Sequence, residues 1–414
     1  MEVMSKAKQW RSAIYYLALC AVVLSVMFTF IDEKTAKVTF YWAFYFSLAG
    51  VLGSVRMFNR QLLWLPGMLL LLGLSKVIWF YLAYTGSADY SPYNDYLNAG
   101  KRMLIGGVIG YYLLAHFQTY AQQSLRLIRY GLIAAFVGAS LFGFWQYAGA
   151  MGRVEFALDR ATISAYGYAM LSAALLFMLA SESHRVSRLL ICLAIFAVSF
   201  FIIVQTGTRN MIAAYPLIIM LVGLFHFRHL GAKAMFWVLG AVVLLGALSY
   251  KPVIEPRLDA TIAEYQLYNN ANGNQLGSLT SRLAMWRVGV ACLAENPMGM
   301  RTEQRTAWFQ HYVDTTHKDT TAMVYAPVHL HNELLDSATL QGIPGALVVV
   351  LFYIVLLGWA LRNKNAPLFG IMLCIIVSGL TDVVFISREM TICIVLIIIM
   401  SVMWQRLEAG KKRV

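Results

Sequence analysis

The chain has 414 residues, 60% hydrophobic and only 13% charged, with a formal net charge of +13 and a mean hydropathy of +0.64. Soluble domains carry about 25% charged residues, so the composition excludes a soluble globular protein and points to a polytopic membrane protein. The positive balance fits Lys and Arg gathered in cytoplasmic loops and at anionic lipid. Nucleic-acid binding is set aside, because no basic run with interleaved aromatics lies outside the apolar stretches.

At the N-terminus, Lys6, Lys8 and Arg11 precede an apolar run from Ala13 to Phe30 with no small-residue cleavage site, so an uncleaved first span is expected. Hydropathy then places spans near 12–31, 38–55, 62–84, 103–119, 130–150, 163–181, 189–205, 210–227, 234–250, 343–361, 367–386 and 389–405. That is an all-α integral membrane protein of about 12 transmembrane helices. The fourth span is short and the last two nearly touch, so eleven or thirteen also fit. The N-terminus and every second connection hold 17 Lys and Arg, the opposite short connections 8, and the segment 251–342 holds 7. The positive-inside rule puts both termini in the cytoplasm and that segment outside. The expected division is 1–250 (nine spans), 251–342 (an external, mainly helical loop domain) and 343–414 (three spans and a basic cytoplasmic tail).

Within the external segment, Arg257 to Tyr268 is expected to be helical. The loop Asn269-Asn270-Ala271-Asn272-Gly273-Asn274 follows, then a helix capped by Thr280 or Ser281 that ends at Asn296-Pro297, and another from Arg301 to His317. Cys20, Cys192, Cys374 and Cys393 lie in apolar spans and Cys292 in the polar segment, which implies neither a disulfide framework nor a Cys-zinc site. His311, His317, His329 and His331 raise a zinc site. Two residues apart on a helix, however, His329 and His331 diverge, and no HExxH accompanies them. No metal is expected.

Several charges fall at one depth, the outer ends of spans. Arg160 precedes the sixth, Arg209 opens the eighth, and Asp382 and Arg388 flank the eleventh and twelfth. Arg282, Arg301 and Arg305 lie outside. Arginine's planar, permanently charged fork suits phosphate, so these residues suggest a pocket for a phosphorylated lipid. The competing readings are local pairing (Arg160 with Asp159, Arg388 with Asp382 or Glu389), solvated faces for Arg287, Arg301 and Arg305, and snorkelling to headgroups. Lys76, inside the third span, needs a buried partner, with Asp382 one candidate, or a catalytic role.

The external segment returns to the membrane at Val328-His329-Leu330-His331-Asn332-Glu333. Leu330, Leu334, Leu335 and Leu340 predict an amphipathic helix over 329–341, stopped by Gly342 and Pro344. His331 then sits in its first turn, beside the positive end of the helix dipole. Two roles are open there: a general base, or an interfacial histidine capping its own helix.

A long external loop ending in His331-Asn332-x-x-Leu335 and Gly342-x-x-Gly345 resembles the O-antigen ligase and polymerase superfamily. Thr208-Arg209, Ser278-Leu279-x-x-Arg282-Leu283-Ala284-Met285, Arg301-x-x-x-Arg305 and Gly379-Leu380-Thr381-Asp382-Val383 resemble the O-antigen ligases in particular. The resemblance implies a GT-C-like membrane glycosyltransferase at the periplasmic face of a Gram-negative inner membrane. It would move polysaccharide from undecaprenyl pyrophosphate to lipid A–core without cofactor or metal. His331 would be the base, and Arg209 and Arg282 the pyrophosphate ligands. Arg160, Arg301, Arg305, Arg388, His329, Asn332 and Asp382 would support the substrates or orient the base. A polymerase using the same donor, or a transporter of lipid-linked sugar, would share many of these features.

Overall fold

The computed structural model describes residues 2–53, 59–86, 90–150, 152–158, 160–182, 186–227, 240, 244, 247, 250–251 and 255–411. Every regular element among them is helical. The helices are α1 (Glu2–Phe28), α2 (Glu33–Leu52), α3 (Trp64–Ala83), α4 (Ser91–Ala148), α5 (Ala161–Glu182), α6 (Val186–Gln205) and α7 (Arg209–Phe227). They continue with α8 (Glu255–Asn270), α9 (Ser278–Glu295), α10 (Thr302–Thr316), α11 (Glu333–Arg362), α12 (Ala366–Gly379) and α13 (Arg388–Lys411). Among them, six are long and apolar enough to cross a membrane, and apolar stretches of α6, α12 and α13 are shorter. The ninth expected span, 234–250, falls almost wholly outside the described residues.

α4 covers two expected spans. A straight helix of its 58 residues would be roughly 87 Å long, nearly three times the hydrocarbon thickness of about 30 Å. The chain breaks helical geometry at Tyr120 (φ −121°, ψ 18°). Arg102, on the first arm, donates to the Arg388 carbonyl and shares a small cavity with Thr29 and Glu33. On the second arm, a Cβ at Gly138 would lie 3.1 Å from Ile31. Both arms therefore end beside the α1–α2 turn, and the chain doubles back at Tyr120, as two separate spans require.

α5 is buried along its whole apolar window, and α13 is buried from Met390 to Trp404. These two helices form the axis that the others surround. Small residues allow this approach, because helix association inside a membrane depends on close backbone packing. At Gly100, a Cβ would stand 2.7 Å from the Gly73 carbonyl oxygen of α3. The outer surface is apolar, with Leu82 76%, Leu141 64% and Ile354 62% exposed, which is stable against lipid and not against water.

The helices of segment 251–342 lie near their expected positions: α8 spans Glu255–Asn270, α9 runs from Ser278 to Glu295 before Asn296-Pro297, with Gly277 and not Thr280 or Ser281 at its N-cap, and α10 covers Thr302–Thr316. They pack on Ala284, Met285, Val288, Phe309 and Leu330, a separate small core. Two expectations fail at the return to the membrane. The helix begins at Glu333, not His329, because the Asn332 side chain caps it by accepting from Leu335 N (3.0 Å). It also does not stop at Gly342. There the backbone leaves helical geometry (φ 75°, ψ −179°), yet α11 continues to Arg362. The carbonyls released by the kink accept from Met300 N (Thr339 O 3.1 Å, Leu340 O 3.2 Å), and Ile343 N donates to Pro297 O (2.9 Å). Close docking of 297–300 explains both glycines: a Cβ at Gly299 would be 2.3 Å from Gly342 N, and one at Gly342 2.5 Å from the Met298 carbonyl carbon.

Candidate active site

His331 precedes the α11 cap in a left-handed conformation (φ 47°), so it lies outside the first helical turn. Its neighbours fix it. Leu330 N donates to Asp336 Oδ1 (3.0 Å), and the Trp286 indole N–H of α9 donates to the Leu330 and His331 carbonyls (3.2 and 3.4 Å). Tyr325 packs edge-on against the ring, with centroids 5.1 Å apart. The ring's Nδ1 lies 3.1 Å from Asp382 Oδ1. Asp382 comes from the segment between α12 and α13, held by its own amide bonding to Ser378 O (2.9 Å). Asn332 links the same two segments by donating to Leu380 O (3.2 Å).

The electrostatics fix the tautomer. Burial pulls the Asp382 carboxyl upward, but the His331 hydrogen bond and the charges of His329 and His331 outweigh it and hold it at about 2. An ionised carboxylate only accepts hydrogen bonds. Nδ1 of His331 must then carry the proton, and Nε2 is the acceptor. His329 is pushed down to about 4 by burial and by His331. Its ring meets His331 edge-on with centroids 4.2 Å apart, and its Nδ1 is buried with no hydrogen-bond partner among the described residues. Because 329–331 is not helical, the two histidines converge instead of diverging. With Asp382 they offer three donor atoms within 4.8 Å of one another, a set able to hold a metal ion.

The arginines join the same site through a chain of contacts. Asn210, next to Arg209 at the start of α7, donates to Thr381 Oγ1, the neighbour of Asp382. Tyr166 of α5 lies within hydrogen-bonding range of Thr381 (3.4 Å) and feels the charges of both Asp382 and Arg282. Arg209 Nη1 donates to Glu264 Oε1 of α8 (2.6 Å), while Glu264 Oε2 accepts from Leu279 N in the first turn of α9 (2.6 Å). Arg282, one turn further along α9, also acts on Glu264. Burial raises the Glu264 carboxyl, but the Leu279 amide and Arg209 hold it below its ordinary value. Two guanidinium groups and a helix N-terminus thus surround one carboxylate, in an anion cradle.

Other expected site residues lie elsewhere or act differently. Arg160 is exposed and close enough to influence His329; Asp159, its expected partner, lies outside the described residues. Arg388 pairs with Asp95 (3.0 Å), not with Asp382; the side chain of Glu389, its other expected partner, lies outside what the structure describes. Arg301 is exposed, caps α10 and donates to Thr85 Oγ1 (3.3 Å). Arg305 is fully buried, its Nη1 and Nη2 donating to Asp336 Oδ1 (2.8 Å), Thr339 and the Ala326 carbonyl, so it does not face substrate. Arg287 turns to Asp319 (3.8 Å). Lys76 pairs with Glu333 (3.5 Å), not Asp382. Sequence reasoning missed Glu264, Asn210, Thr381, Glu333 and Asp336. Only the last two carried a signal, as carboxylates entering an apolar stretch.

A family model described as O-antigen ligase matches residues 193–350, a range that includes Arg209, Arg282 and His331. The O-antigen ligase of Escherichia coli (strain K12) is 24% identical over 357 residues, covering 84% of this chain and 83% of the relative. Over residues 193–350 the chain is similar to the O-antigen ligase family.

Proposed function

We propose that the protein is a GT-C-like glycosyltransferase of about twelve spans in a bacterial inner membrane. In this reading its periplasmic site transfers O-antigen polysaccharide from undecaprenyl pyrophosphate to lipid A–core. The observation that carries it is the pairing of His331 Nδ1 with an ionised Asp382, beside an anion cradle of Arg209 and Arg282. His331 Nε2 takes the proton of the acceptor hydroxyl as its oxygen attacks the anomeric carbon. Asp382 holds the ring and stabilises the imidazolium that forms. The bond to the diphosphate breaks in the same displacement, which inverts the anomeric centre. Negative charge grows on the departing oxygen and meets fixed guanidinium groups that need no reorganisation. Glu264 stands where a phosphate oxygen would be held and yields that position to the donor.

Arg160 and His329 flank the base, while Arg301 and Arg388 lie at the rim, where a headgroup approaches. The test is reconstitution in liposomes with lipid-linked polysaccharide and purified lipid A–core, with and without EDTA. Transfer to lipid A–core, unaffected by EDTA, supports the reading. Elongation of lipid-linked chains alone would make the protein a polymerase, and movement without bond formation a transporter. Activity lost to EDTA and restored by Zn²⁺ would assign His329, His331 and Asp382 to a metal.

A further inference from the structure

The His331–Asp382 pair joins two segments, 325–332 and 380–387, neither of which is part of a regular helix. Beneath it, in the first turn of α11, lies a layer of fully buried charge. Glu333 and Asp336 are both 0% exposed, as are Lys76 and Arg305. Glu333 pairs with Lys76 of α3 (3.5 Å) and accepts from Phe385 N (2.9 Å) through Oε2. Asp336 pairs with Arg305 of α10 (2.8 Å) and accepts from the Tyr96 hydroxyl of α4 and from Leu330 N (3.0 Å). Lys76 Nζ lies 4.8 Å from the centre of the same Tyr96 ring.

One carboxylate therefore grips the segment carrying Asp382, and the other grips the segment carrying His331. A neutral apolar side chain could fill either place but could not accept a backbone N–H. Charged acceptors require cations nearby, because an unpaired buried charge is strongly unfavourable. That requirement gives Lys76 and Arg305 their positions.

From these contacts we infer that Glu333 and Asp336 are positioning residues: one buried carboxylate per segment sets the separation of His331 from Asp382, with Lys76 and Arg305 as counter-charges. The inference rests on reading His331 as the base for its effect on activity, but not for its effect on geometry. Two double variants separate anchoring from charge. Lys76→Met with Glu333→Gln is neutral and keeps an oxygen for Phe385 N. Lys76→Met with Glu333→Leu is neutral and has no acceptor.

Two readouts are taken on the folded protein: transfer kinetics, and the rate at which diethyl pyrocarbonate labels His331, read by mass spectrometry. The Gln variant should label and turn over close to wild type. The Leu variant should label His331 several-fold faster and lose kcat on the order of 10²-fold, the usual cost of misplacing a reacting group by about 1 Å, with KM for both lipids unchanged. If the Leu variant does not insert stably, Asp336→Asn against Asp336→Ala repeats the comparison on the other segment, since Asn keeps an acceptor for Leu330 N. Equal labelling in the members of a pair overturns the inference, whatever the activity. Faster labelling in the Leu or Ala member upholds it, even if His331→Ala proves active and the base assignment fails alone.

Discussion

At the scale of single residues, Asp382 decides what His331 can do. Replacing the carboxylate by an amide offers Nδ1 a donor as readily as an acceptor, and the ring can then turn its lone pair away from the hydroxyl. Asp382→Asn should lower transfer on the order of 10²-fold or more without changing the yield of inserted protein, as a single-turnover assay would show. The pH dependence of stability isolates His329. Its folded value of about 4 lies below the ordinary 6.5, so the unfolded chain takes up a proton first as pH falls. Stability is complete above about 6.5 and is lost between there and 4. Asp382, lowered from 3.8 to about 2, loses its contribution only below about 4. Thermal unfolding in detergent between pH 7 and 4 should therefore fall less steeply for His329→Phe than for wild type. Parallel curves would contradict the buried neutral ring.

At the scale of elements, the informative error is the return to the membrane. Leu330, Leu334 and Leu340 keep a helical period whether or not 329–331 is helical, so periodicity could not place the first turn. The Asn332 cap is the residue that does. Gly342-Ile343-Pro344-Gly345 has the pattern of a helix stop in water. At the membrane an open helix end would leave carbonyls unsatisfied, and the chain instead kinks and gives them to Met300 N. Gly342→Ala forces a Cβ into the Met298 carbonyl at a φ of 75° and should destabilise the protein on the order of 3 kcal/mol. A melting temperature unchanged from wild type would show that segment 297–300 is not docked there. The three helices of segment 255–316 were legible because turn residues and Pro297 are local signals, whereas the start of α9 was misplaced because Gly277 offers no capping side chain.

At the scale of the whole molecule, the apolar helices were readable, since hydropathy needs no partner. What the sequence hid is most of the long-range pairing. Arg209 meets Glu264, Lys76 meets Glu333 and Arg388 meets Asp95, and each choice depends on which helices α5 and α13 bring together. The assembly gathers one base and one anion cradle around Tyr166 and Thr381. The cradle predicts a graded result: Arg209→Ala should cost transfer about 2–4 kcal/mol in activation free energy. Arg209→Lys should recover part of that, because a point charge replaces a fork. Full activity in the Ala variant would remove Arg209 from the leaving-group site.

The most direct measurement is the initial rate of polysaccharide transfer by purified His331→Ala in liposomes containing both lipid substrates, beside wild type at equal incorporation. The account predicts a loss of about 10²–10⁴-fold, the range for removal of a general base, with lipid-linked donor still bound. Transfer at the wild-type rate would contradict it.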